Sequence, residues 1–158
     1  NKKRVLRLFM KNKWFIFLSL ALSILACCKK NRATELIPTG PVNLTIDLNL
    51  PSYTRLRYPG EFIFLDGGIK GVLLVHDFDD KWYAFERTCA FEPLNLCSIL
   101  QIDTQGLAIR CGEIKNKVYQ KCCDSRYTYA GFPTNGPAQG PLARYNVSRL
   151  GNVVSVYN

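Results

Sequence analysis

RTCAFEPLNLC, residues 87–97, and CGEIKNKVYQKCCDSRY, residues 111–127, carry five of the seven cysteines of this 158-residue chain: Cys89, Cys97, Cys111, Cys122 and Cys123. The run before each segment alternates apolar and polar residues. KWYAFER (81–87) leads into Cys89, and LAIR (107–110) leads into Cys111. Alternation with a period of two is the signature of a half-buried strand. The cysteines are therefore expected in loops at strand ends. With one histidine in the chain, His76, any site chemistry must come from these sulfurs.

Working outward, the same period recurs at residues 42–49, short apolar or branched runs stand at 62–65 and 69–76, further strands are expected at 142–147 and 153–157, and shorter candidates lie at 117–119, 126–129 and 131–132. Glycine, proline and aspartate stand between these runs, as in Asp66-Gly67-Gly68 and Asp77–Asp80. Many short strands with such punctuation predict an all-β fold, an antiparallel sandwich or barrel. No stretch beyond the leader shows helical periodicity.

The net charge of +9 is confined to one end. Residues 1–32 hold nine Lys/Arg and no acid, whereas residues 33–158 hold twelve of each sign. A nucleic-acid domain would keep its basic surplus in the folded part, so nucleic acid is not an expected partner.

Trp14–Ala26 (WFIFLSLALSILA) is an uncharged apolar run preceded by Lys11 and Lys13. It is short for a bilayer span and suits the core of a signal peptide. Met10 is the only methionine and the expected start. Ile24-Leu25-Ala26-Cys27 resembles the lipobox of bacterial lipoproteins, which implies acylation of Cys27. The other reading is an ordinary secretory signal cleaved nearby. Residues 1–27 are thus expected to be a signal or anchor helix, residues 28–41 a tether, and residues 42–158 the β domain. The expected location is the bacterial cell envelope, lipid-anchored to a membrane and facing the periplasm or exterior, with envelope proteins as the expected partners. Disulfides persist in such a compartment.

The order of strands and cysteines, followed by Gly136-Pro137-Ala138, resembles the Rieske iron–sulfur domain. That family has two cluster-binding loops, patterned Cys-x-His and Cys-x-x-His-Gly. Some members add one cysteine per loop, joined as a disulfide, and a Gly-Pro-Ala segment covers the cluster. The resemblance places Cys89 and Cys111 at the ligand cysteines, and Cys97 and Cys122 at the disulfide. Cys111 matches only if residues 112–121 are an insertion. Phe91 and Cys123 stand where the two histidines belong. A Rieske centre needs two imidazoles on one iron, and phenylalanine cannot supply one.

Three fates remain for the five thiols. The leading one is disulfides: Cys97–Cys122 as the resemblance implies, with Cys89 pairing with Cys111 or Cys123. The second is an iron–sulfur cluster held by Cys89, Cys97, Cys111 and Cys122 or Cys123. The third is a zinc site on the same thiols. The function expected from the sequence is a membrane-anchored structural or interaction module without a cofactor. The alternative is an electron carrier or oxidoreductase subunit with a non-standard cluster or zinc. No Ser/His/Asp or Cys/His arrangement marks an enzyme. Asp77, Asp79 and Asp80 lack the glycine and distal glutamate of a calcium loop. Trp82, Tyr83, Phe85, Tyr127, Tyr129 and Phe132 are expected to be packing.

Overall fold

A computed structural model describes residues 37–158. The signal segment, Cys27 and most of the tether lie outside these residues. Among the described residues no helix is long and apolar enough to cross a membrane.

The fold is all-β, as the alternation predicts. Ten antiparallel strands follow in order: β1 (Asn43–Asp47), β2 (Phe62–Leu65), β3 (Val72–His76), β4 (Trp82–Glu86), β5 (Leu100–Asp103), β6 (Ala108–Lys115), β7 (Val118–Tyr127), β8 (Pro133–Asn135), β9 (Arg144–Leu150) and β10 (Val153–Tyr157). They form a six-stranded sheet, β1-β10-β9-β4-β3-β2, and a four-stranded sheet, β5-β6-β7-β8.

β3 explains how the two sheets come together. Its run Val72-Leu-Leu-Val75 is apolar without alternation and wholly buried. Val72 and Leu74 point into one core with Ile46, Val154 and Val156. Those partners come from β1 and β10, at the far side of the same sheet, so the large sheet curls until both its ends line one core. Leu73 and Val75 point the other way, into a second core with Leu100, Ile109 and Tyr127 of the small sheet. A strand covered on both faces needs apolar side chains at every position, and each contributes about 1.5–3 kcal/mol by leaving water. Cys89 and Cys111 belong to this second core.

Residues 69–71, expected in the third strand, instead form a turn around a buried carboxylate. Glu86 accepts hydrogen bonds from the amides of Ile69 (2.8 Å) and Lys70 (2.9 Å) and from the hydroxyls of Tyr145 (2.8 Å) and Thr88 (3.2 Å). A side chain at Gly68 (φ 62°) would run into the Glu86 carboxylate. A buried carboxylate is tolerated only when its oxygens are satisfied in this way. Glu86→Gln turns one accepting oxygen into a donor that faces donors. It should cost about 1.5–3 kcal/mol, read as a lower urea midpoint with an unchanged slope.

Three further boundaries differ from expectation. β5 is not among the expected strands, since LQID offers only two periods of alternation, the shortest run that the strand pattern accepts. A 3-10 turn, Thr54–Arg57, fills the connection from β1 to β2. Gly131-Phe132, expected as a strand, is a turn closed by the Phe132 carbonyl accepting from Thr128 N–H (2.9 Å) and by the Thr128 carbonyl accepting from Gly131 N–H (2.9 Å).

Candidate metal centre

β4 delivers the first cysteine. Just past its end, Leu100 N–H donates to the Arg87 carbonyl (2.8 Å), and Cys89 N–H donates to the Ser98 carbonyl (3.1 Å). The chain thus returns on itself and closes residues 90–97 as a loop. Lys70 reaches into that loop, where its ammonium donates to the carbonyls of Pro93 (3.0 Å), Asn95 (2.7 Å) and Ser98 (3.1 Å). Burial lowers the Lys70 pKa, while charge on Cys111, Cys89 and Glu86 acts to raise it.

The second pair of strands departs from the sequence reading. Cys111, Cys122 and Cys123 do not sit in loops at strand ends; they lie within β6 and β7. Residues 112–121 are not a break in a loop. They are the far arm of a hairpin, paired from Gly112↔Lys121 to Lys115↔Val118. Asn116 and Lys117, both at positive φ (51° and 63°), make its two-residue turn, the geometry that matches strand twist. Between Arg110↔Arg126 and Gly112↔Lys121 the register shifts. Cys111 alone on β6 there opposes residues 122–125 on β7. This wide bulge re-aims side chains and brings sulfurs from both strands to one point.

The sulfurs of Cys89, Cys111 and Cys123 all lie within 4.8 Å of one another, with Cys89 and Cys123 4.0 Å apart. Cys89 and Cys111 are fully buried, and Cys123 is half-buried. Donors surround them. Tyr127 Oη is 3.6 Å from Cys89 Sγ, and Ser125 N–H donates to Cys123 Sγ at 3.5 Å. Ser98 Oγ lies 3.9 Å from Cys111 Sγ and donates to the Phe91 carbonyl at 2.8 Å.

These contacts divide the thiols by acidity. A hydrogen bond from the Cys111 thiol, outweighing burial and aided by the Phe91 amide and Tyr127 hydroxyl, lowers Cys89 to about 6. The same bond, with burial, pushes Cys111 well above the ordinary thiol range. Burial and the Cys89 charge push Tyr127 up. One sulfur thus carries charge and its neighbour keeps its proton, an arrangement that a metal ion would replace with bonds to deprotonated thiolates.

Cys97 and Cys122 form a disulfide, with Cα atoms 5.5 Å apart. It ties the first loop to β7. Gly136-Pro137-Ala138 lies against the bulge. Ala138 N–H donates to Ser125 Oγ (3.2 Å), and a side chain at Gly136 (φ 88°) would strike the Asp124 backbone.

Two site expectations are corrected. Cys89 and Cys111 are not a disulfide pair; both are free thiols together with Cys123, since Cys111 points at Ser98 and shares a hydrogen bond with Cys89. Cys97 is not available as a metal ligand, because its sulfur is bonded to Cys122. The residues do not fit a Rieske centre. Its two imidazoles have no source here: the chain's one histidine, His76, is held in β3 by the Leu56 carbonyl (2.8 Å) and Asp80 (2.7 Å). A four-thiolate cluster lacks its fourth sulfur for as long as the bridge stands. Three sulfurs at these separations suit one ion instead. Thiolates bound to one tetrahedral metal at about 2.3 Å lie about 3.8 Å apart.

The sequence did not point to Lys70 or to Tyr119. Tyr119 donates to the Cys111 carbonyl (2.7 Å), and the Arg110 guanidinium stacks 3.7 Å over its ring. Lys70 is remote in sequence from the loop it holds, Tyr119 lies across a hairpin turn from Cys111, and neither belongs to a motif.

No family profile and no curated protein matches this chain. Among solved structures it is similar to the ferredoxin of carbazole 1,9a-dioxygenase from Nocardioides aromaticivorans IC177. The two are 23% identical with a TM-score of 0.46, covering 74% of this chain and 96% of that one.

Proposed function

We propose that this chain is a cell-envelope lipoprotein whose Rieske-like domain holds one thiophilic metal ion on Cys89, Cys111 and Cys123, in place of the iron–sulfur centre of that family. The observation that carries the reading is the convergence of three free sulfurs within 4.8 Å. Several features support the Rieske-like build: the strand order, the bridge between the first loop and β7, and the Gly-Pro-Ala segment laid on Ser125. The lipobox ending at Cys27 supports a lipid anchor, with the metal domain held at a membrane surface by its tether. The cofactor-free module expected from the sequence gives way to this reading for a physical reason. Three thiols aimed at one point beside hydrogen-bond donors make a ligand set rather than apolar packing. A bound metal would cross-link the end of β4 to the β6–β7 bulge.

The test is metal analysis of the mature chain prepared without oxygen. One equivalent of zinc or copper per chain is expected, and Cys89→Ser should lose it. A chain that takes up neither ion overturns the reading. Stoichiometric iron with acid-labile sulfide would overturn it in favour of a cluster.

Loading should also follow the Cys89 thiol. Below about pH 6 this thiol is protonated, and the metal must displace its proton; above that pH it is already a thiolate. The number of protons released per metal should therefore fall by one as pH rises through about 6, measured by titrating lightly buffered protein with metal.

A further inference from the structure

The three-thiolate reading leaves open which ion the site prefers, and the surroundings decide it. Among the described residues no fourth histidine, cysteine, aspartate or glutamate joins Cys89, Cys111 and Cys123. Structural zinc is nearly always four-coordinate, and zinc with three protein ligands completes its shell with water. Much of the wall here is apolar. Cys89 and Cys111 share one apolar cluster with Ala90, Tyr127, Tyr129, Ala138 and Leu142, and Phe91 packs against it. Soft thiolates suit monovalent copper and zinc alike, but monovalent copper, a closed-shell ion, is satisfied by three sulfurs in a plane without a water. Monovalent copper neutralises only one of three thiolate charges, so the other two need donors. Donors stand at two of the sulfurs: Tyr127 Oη by Cys89 and Ser125 N–H on Cys123.

We infer that the metal this site takes is monovalent copper, held three-coordinate by Cys89, Cys111 and Cys123 and exchanged through Cys123, the half-buried one of the three. The inference rests on the three-thiolate reading above. Entry is ligand exchange. Bonds form from the arriving copper to Cys123 Sγ and then to Cys89 and Cys111 Sγ, each thiol that still holds a proton, Cys111 among them, releases it to solvent, and copper's bonds to the donor's own ligands break. Copper stays monovalent throughout, so no electron acceptor is needed.

The experiment uses the mature chain carrying Cys28→Ser, which removes the remaining thiol outside the domain, without oxygen. Copper(I) is supplied as its coloured complex with bathocuproine disulfonate, before or after loading with zinc sulfate. One equivalent of copper should leave the dye, preloaded zinc should be expelled, and X-ray absorption should show three sulfurs and no oxygen or nitrogen on the metal. Cys123→Ser, its fold checked by circular dichroism, should take copper at least tenfold more weakly. Zinc retained against copper, or a light-atom ligand on bound copper, overturns the copper assignment and leaves the three-thiolate site standing. A chain that binds neither ion removes both.

Discussion

Cys111→Ser is expected to leave a folded chain that has lost its metal, with affinity down by more than about 100-fold. Changes behind a metal ligand already cost roughly 10–100-fold, and this one removes a ligand itself. A serine hydroxyl is a hard donor, poorly matched to an ion that selects sulfur. The fold should tolerate the exchange. Position 111 is fully buried, but the hydroxyl is smaller than the thiol and meets no clash. Tyr119 still holds the backbone carbonyl at 2.7 Å. Two measurements are needed. Urea unfolding of the metal-free variant should show a loss of no more than about 1–3 kcal/mol, the cost of burying the hydroxyl, while competition against a chelator should show the lost affinity. Parental affinity in this variant would remove Cys111 from the centre.

Replacing Cys97 and Cys122 together with alanine should cost about 3.5 kcal/mol of stability. The bridge closes a span of 25 residues, and the chain-entropy relation gives that figure for a loop of this length. The span contains β5, β6 and half of β7, so the unfolded chain it restrains is the part that builds the centre. The loss should appear as a fall in urea midpoint without added reductant. Metal dissociation should quicken as well, because the first loop would then be held mainly by the Lys70 ammonium. A loss below about 1 kcal/mol would show that the bridge adds little to what the hairpin already provides.

The strand content was legible because burial imposed period-two patterning on β1 and β10, and continuous apolar runs on β3 and β4. The sequence also pointed to the five cysteines as the only available chemistry, since His76 stands alone. It could not show their division into one bridge and three thiols. That division depends on the bulge opposite Cys111, and a bulge is a property of pairing register, which leaves no mark in one strand read alone. For the same reason residues 112–121 read as a polar insertion. Gly112, Glu113, Lys115, Asn116 and Lys117 look like loop composition until Lys121, Gln120 and Tyr119 are set opposite them. Lys70 was hidden differently: it reaches three carbonyls that lie 23 to 28 residues further along.

The adjacent cysteines of β7 have opposite allegiances, Cys122 to the bridge and Cys123 to the open site. A preparation kept in excess dithiothreitol would open the bridge and present five sulfurs where the oxidised chain offers three. Such a sample could recruit a second ion, or assemble a four-sulfur cluster that the native chain cannot build. Stoichiometries obtained with and without strong reductant would then describe two chemically different proteins.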